Sequence, residues 1–161
     1  EGSLETIIMI FAAVIGIALL SIVSGEDVTG NVAFTAGITT EAKINKGTIV
    51  SFNSVFTNHG SGYNSATGVF TVPKGGLYAF FVSAVTQEKN EFFFGIYKND
   101  AYQISVFAQG RDIGSGGNTI LLRLFKNDRV YVKAHRNSYV QGQVNDISAT
   151  FSGLLVGLLT V

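Results

Sequence analysis

Apolar residues in the stretch 76–87, GLYAFFVSAVTQ, fall on both phases of a period of two. Leu77, Ala79, Phe81 and Val85 occupy one phase, and Tyr78, Phe80, Val82 and Ala84 the other. A strand sends successive side chains to opposite faces, so both faces of this one are apolar. Residues 91–97, EFFFGIY, repeat the arrangement, with Phe92, Phe94 and Ile96 on one phase and Phe93 and Tyr97 on the other. A strand of an antiparallel sheet usually shows one apolar and one solvated face. The second face therefore needs a cover. Either the chain associates with copies of itself, or loops fold over central strands.

The rest of the chain beyond residue 30 continues in short runs rich in β-branched and aromatic residues, separated by turn residues. NVAFTAGI, GTIVSFNSVF, GVFTV, AYQISVFAQ, NTILLRLFKND, RVYVKAH and ISATFSGLLVGLL join the two segments above as candidate strands. No segment of this part has a helical period, and the close spacing argues against βαβ units. The expected class is all-β, a sandwich. KNDA at 98–101 and KNDR at 126–129 are expected to make tight hairpin turns, because Asn and Asp accept left-handed backbone. TNHGSGYNSATG and GRDIGSGGN read as exposed loops.

Residues 7–23, IIMIFAAVIGIALLSIV, are a different kind of sequence, with no charge in the run. They suit the apolar core of a secretory signal, with a small residue, Gly25, before Glu26 and Asp27. An uncleaved signal anchor, a pilin-like helix following Glu5, or a buried core helix remain alternatives. The expected organisation is a signal peptide or anchor over 1–25, a short linker over 26–30 and a globular domain over 31–158. Secretion is expected, with membrane association only if the first segment is retained. Cleavage would remove Glu1 and Glu5 and leave 11 basic against 9 acidic residues, a net charge of +2. Charged residues make up 14% of the chain, and no basic run with interleaved aromatics occurs, so nucleic acid is not an expected partner. The absence of cysteine removes disulfides and thiolate metal sites.

Seven positions at fixed spacing carry a family resemblance: Phe52, Asn58, Tyr63, Phe70, Gly76, Tyr78 and Phe80. The chain resembles the globular domain of complement C1q and the wider tumour necrosis factor superfold. It departs from the signature at Val82, where the family has an aromatic residue. LFKNDRVYVKA is similar to another family segment, with Asn127 in place of Gly and Tyr131 in place of Trp. VAFTAGI and ATFSGLLVG resemble the first and last strands. The resemblance implies a ten-stranded jelly roll that assembles as a homotrimer, with the second strand faces toward the threefold axis. No run of Gly-X-Y triplets is present, so the similarity is to the short, stalkless secreted type. Complement activation through a stalk is not expected. Members of that type are described as lectin-like recognition molecules of innate immunity. Others act as signalling or structural proteins.

No phosphate-cradling GxxxxGK[ST], HExxH or GxSxG motif occurs, and catalysis is not expected from His59 or His135. Phe52, Tyr63, Phe70, Gly76, Tyr78, Phe80, Phe151 and Gly153 are expected to fill the core or a subunit contact. Ligand contacts are expected in the loops, from Arg111 and Asp112, and from Arg136, Asn137, Tyr139, Asn145 and Asp146. Arg136 with Tyr139 would give a sugar both a planar hydrogen-bonding group and an aromatic face. Arginine would also suit the carboxylate of a sialic acid. The expected partners are further copies of the chain, and either glycans or microbial surface molecules or a protein receptor. No cofactor is expected. Calcium enters only as convergence of Asp112 and Asp146 from several subunits.

Overall fold

The computed structural model describes residues 31–158, so the signal or anchor expectation for 1–25 lies outside the described residues. Twelve strands follow one another: β1 (Ala33–Gly37), β2 (Ala42–Ile44), β3 (Ser54–His59), β4 (Tyr63–Asn64), β5 (Val69–Thr71), β6 (Gly76–Gln87), β7 (Glu91–Lys98), β8 (Ala101–Gln109), β9 (Ile113–Leu124), β10 (Arg129–Ala134), β11 (Ser138–Val140) and β12 (Thr150–Leu158). Ten of them form two five-stranded sheets, ordered β3-β1-β12-β6-β9 and β4-β5-β10-β7-β8, while β2 and β11 pair separately. The described residues form an all-β jelly-roll sandwich.

The core lies between the sheets. Tyr78, Phe80, Val82 and Ala84 of β6 point inward, as do Phe92, Phe94 and Ile96 of β7, and all are buried. Phe34 is the hub, its ring 4.8 Å from that of Tyr63, 4.8 Å from Phe70 and 4.9 Å edge-on from Phe151. Burying each such ring contributes about 1.5–3 kcal/mol.

The second apolar faces have different fates. β6 and β7 belong to different sheets, so these faces look outward in opposite directions and one contact surface cannot cover both. On the β7 side the outer rings pack on one another: Phe93 lies edge-on against Phe107, Tyr97 stacks on Tyr131, and the Arg136 guanidinium lies over Phe93, while Phe107 is still 48% exposed. On the β6 side the apolar side chains stay open to solvent among the described residues. Leu121 and Leu154 flank Ala79 across β9, β6 and β12, with Leu77 beside them. Leu121 is 58% exposed, Phe81 42% and Leu154 40%.

Two turn expectations diverge. Asn99 (φ 46°) and Asp100 (φ 68°) join the paired strands β7 and β8 in a tight hairpin with two left-handed residues. The second Asn-Asp turn is equally tight, with Asn127 at φ 72°, but it is no hairpin. It links β9 in one sheet to β10 in the other. Part of each expected loop is strand: Ile113–Gly117 pairs with Ser83–Gln87, and Tyr63 pairs with Phe70.

Candidate functional site

Strand directions define two ends of the sandwich. β1 starts and β12 finishes beside Gly76, the first residue of β6. At the opposite end β6 gives way to the 88–90 turn, β8 to the 110–112 turn, and β10 to residues 135–137. The two turns are tied together, since the Glu88 amide donates to the Asp112 carbonyl (2.7 Å) and the Gly110 amide to the Asn90 carbonyl (2.9 Å). Residues 141–149 close the same end, held where the Gln141 amide donates to the Val85 carbonyl at 2.8 Å.

All seven loop residues singled out in the sequence lie at this end, but they do not form one constellation. Arg111 and Asp112 are exposed on the β8–β9 turn. Arg136 holds Glu91 at 3.5 Å and stacks on Phe93. An exposed pair of this kind is worth about 0–1 kcal/mol, so the guanidinium can exchange it for a ligand. Asn137 has a tethering contact, its Oδ1 accepting the Lys46 amide at 3.0 Å. Asn145 and Asp146 sit at an exposed tip where Gln143 and Asp146 exchange backbone hydrogen bonds at 3.1 Å.

Arg136 and Tyr139 have different neighbours. Tyr139 lies on β11 beside β2, and its ring carries the Lys43 ammonium, 5.5 Å from the centroid. It lines a pocket of about 120 Å³ with Glu41, Thr86, Gln87, Glu88, Asn90, Val140 and Gln141. Sequence reasoning missed Glu41, Thr86, Glu88 and Asn90. The available signal was Thr86, a polar residue continuing the inward phase of Tyr78, Phe80, Val82 and Ala84. Among the described residues no group of three or more His, Asp or Glu gathers to hold a metal ion.

The signature residues lie in the protomer interior. The Tyr63 hydroxyl donates to the Phe52 carbonyl and accepts the Phe52 amide, both at 3.1 Å. Burial pushes its pKa up to about 12, partly offset by the Phe52 hydrogen bond. The Asn58 side chain accepts the Tyr63 amide at 3.1 Å and donates to the Tyr63 carbonyl at 2.8 Å. Tyr78 donates to the Lys74 carbonyl at 2.6 Å. Gly153 lets β12 pass between two rings, since a Cβ there would stand 2.6 Å from Phe34 and 2.7 Å from Phe80. Gly76 is likewise closed in by Gly157, 2.6 Å from where its Cβ would be. Phe52, Phe70, Phe80 and Phe151 are fully buried.

The two histidines are far apart in the fold. His59 ends β3 near the start of β1, while His135 follows β10 on the outer aromatic face. His135 Nε2 is 2.8 Å from the Tyr97 hydroxyl. Burial, with the Lys133 charge added, holds its pKa below the ordinary value.

Comparison with known proteins agrees with this architecture. Over 130 residues the chain is 32% identical to complement C1q tumor necrosis factor-related protein 7 of Mus musculus, covering 77% of this chain and 43% of that protein. The chain thus spans less than half the length of this relative. The globular domain of zebrafish complement 1qA protein superposes with a TM-score of 0.65 at 17% identity, over 80% of this chain and 99% of that one. The Eiger TNF of S. frugiperda does so with a TM-score of 0.67 at 11% identity, over 81% and 96% of the two chains. The C1q domain profile matches residues 33–156, from the first strand nearly to the end of the last, and the chain belongs to the C1q domain family.

Proposed function

We propose that this chain is an extracellular homotrimeric recognition module that reads glycans on microbial or host surfaces through avidity. The observation that carries the reading is the segregation of the loops. Arg111, Asp112, Arg136, Asn137, Tyr139, Asn145 and Asp146 gather at the end of the sandwich opposite the start of β1 and the finish of β12. A domain held or paired near its first and last strands leaves that polar end free to meet a surface. Self-association is supported by the bare apolar patch around Leu121, Ala79 and Leu154, since such a patch in water marks an interaction site. Three weak sites on one rigid body gain about 10²–10⁴ in avidity on a repetitive target. The extracellular setting rests on the apolar run 7–23 acting as a signal.

A protein receptor or matrix partner is the second reading, favoured by the aromatic outer face of the other sheet. Tyr102 is 52% exposed and Phe107 48%, beside the cation-stacked ring of Phe93. Protein interfaces are enriched in aromatic residues and arginine of this kind.

The test is an array of bacterial polysaccharides and sialylated glycans, with and without calcium, probed with protein whose oligomeric state is known from sedimentation. Selective binding competed by free monosaccharides is the expected result. Silence from a folded trimer would overturn the glycan reading and leave a protein partner.

A further inference from the structure

We infer that the end of the sandwich where β6 starts and β12 finishes docks on an anionic lipid surface. The inference goes beyond the glycan reading and does not depend on it, because it concerns the end opposite the seven loop residues. Charge is divided unequally between the two ends. Of the seven acidic residues among 31–158, Glu41, Glu88, Glu91, Asp112 and Asp146 lie at the loop end, where Lys43, Lys46, Lys89, Arg111 and Arg136 balance them. The end at Gly76 carries Lys74, Lys98, Arg123, Lys126 and Arg129 against Asp100 and Asp128, five bases to two acids and a net +3. Both of these acids are engaged within the protein. Asp128 holds the Lys98 ammonium at 3.3 Å, and its carboxylate accepts the Asn99 side-chain amide at 2.7 Å and the Phe125 backbone amide at 2.9 Å. Asp100 accepts the Tyr131 hydroxyl. Lys74, Arg123, Lys126 and Arg129 are exposed, and none has an acidic partner among the described residues.

Apolar side chains stand among these cations. Gly76 pairs with Leu158 on one side and with Leu124 on the other, so the ends of β12 and β9 lie two strand spacings, about 10 Å, apart with no side chain between them. Leu158 is 55% exposed, Val156 54%, and Phe125, the residue after β9, 58%. The Arg123 guanidinium lies 5.8 Å from the centre of the Phe125 ring. A soluble polyanion would use the cations and leave the apolar groups in water, and the buried centre of a protein interface is depleted of charge. Exposed aromatic and aliphatic side chains interleaved with lysine and arginine match the boundary of an anionic bilayer. There the apolar groups enter the acyl edge while the cations stay among the headgroups. The Lys98 ammonium also donates to the Arg123 carbonyl at 2.9 Å, which ties the β7–β8 turn to β9 and holds the surface together. Docked in this way, the sandwich turns its loop end away from the lipid.

The chain has no cysteine, so one introduced at each end reports on that end alone. Gly75→Cys fits, since the nearest atom to a Cβ there is 3.5 Å away, an ordinary contact. Asn145→Cys marks the exposed loop tip. The full chain is labelled at either position with an environment-sensitive dye and mixed with vesicles of phosphatidylcholine, or of phosphatidylcholine and phosphatidylserine in equal parts. The Gly75→Cys label should shift to the blue on phosphatidylserine vesicles and not on phosphatidylcholine alone, and the Asn145→Cys label on neither. A cation near an anionic leaflet is worth about fivefold in affinity, so Lys74→Gln combined with Lys126→Gln should weaken the response about 25-fold. Phe125→Ser should weaken it at unchanged charge, with an unchanged circular dichroism spectrum. A Gly75→Cys label that does not shift, or shifts equally on both vesicles, would overturn the inference; in the second case the apolar run 7–23 would be the cause. A shift of the Asn145→Cys label, or a full response from the double charge variant, would overturn it too. Heparin binding that the charge variant loses, with a vesicle response that Phe125→Ser leaves intact, would identify a polyanion site in place of a lipid one. The substituted side chains are exposed, and should one variant fail to fold the other decides.

Discussion

Asn58 holds Tyr63 by both its amide and its carbonyl, and Tyr63 in turn holds Phe52 by both of its own. The fixed spacing of these three residues thus has a physical cause. It places one side-chain amide and one phenol where two irregular backbone segments leave groups without ladder partners. Replacing Asn58 by Ala leaves the Tyr63 amide and carbonyl unpaired and should destabilise the fold by about 1–3 kcal/mol in denaturant titration. Tyr63→Phe removes the hydroxyl from Phe52 and should cost about 1–2 kcal/mol. The phenol also predicts a pH effect. Its folded pKa, about 12, lies above the ordinary 10.0, so the folded state favours the protonated form. That stability is fully present below pH 10 and is lost as the pH rises through 12. Tyr131, raised to about 12 chiefly by burial and then by its hydrogen bond to Asp100, adds to the same alkaline loss. Melting temperatures between pH 9 and 12 should fall less steeply in Tyr63→Phe than in wild type. Equal slopes would show that this phenol is not the titrating group.

At the scale of strands and turns, Asn127 is the informative position. Its left-handed backbone (φ 72°) explains why glycine is the family's residue there, and Asn is the side chain that tolerates the conformation best. Asn127→Val should destabilise by about 1–2 kcal/mol, whereas Asn127→Gly should be nearly neutral, as read from urea midpoints. The same turn marks what the sequence could and could not reveal. The Asn-Asp pair made the turn legible, because the cause is local. Its destination was not, since the choice between pairing with β9 and crossing to the other sheet depends on which core faces meet. The glycine-rich start of β9 was hidden for a related reason. Its glycines read as loop, yet a Cβ on Gly116 would strike the Phe107 carbonyl of β8, so the two sheets close together there through bare backbone. β2 and β11 have three residues each, too few to display a period. The loop cluster followed the same rule: each polar loop was visible along the chain, while the pocket beneath Tyr139 joins residues from Glu41 to Gln141 and exists only once the strands are packed.

For the whole molecule, the two phases of β6 predict two different failures. Phe80 is fully buried, with its ring 5.7 Å from Phe70 and 6.0 Å from Phe151. Phe80→Asp puts an unpaired charge into that cluster and leaves a cavity, costing well above about 3 kcal/mol. Domains are stable by only about 5–15 kcal/mol, so soluble folded protein should be lost or scarce. Leu121 is on the other phase, 58% exposed and level with Ala79 and Leu154. Leu121→Glu costs the isolated protomer little, because the carboxylate stays in water. In an assembly built on this patch it would bury one uncompensated charge per contact, a penalty repeated at every interface. Circular dichroism should therefore report an unchanged sandwich while sedimentation reports monomers. Binding to a polysaccharide surface should fall by about 10²–10⁴, with affinity for the free monosaccharide unchanged, because avidity is lost and the loop sites are not. A Leu121→Glu protein that still sediments as an oligomer would move the contact to the aromatic face around Phe93, Tyr102 and Phe107. That face would then no longer be available to a receptor, which would have to dock on the Leu121 patch instead.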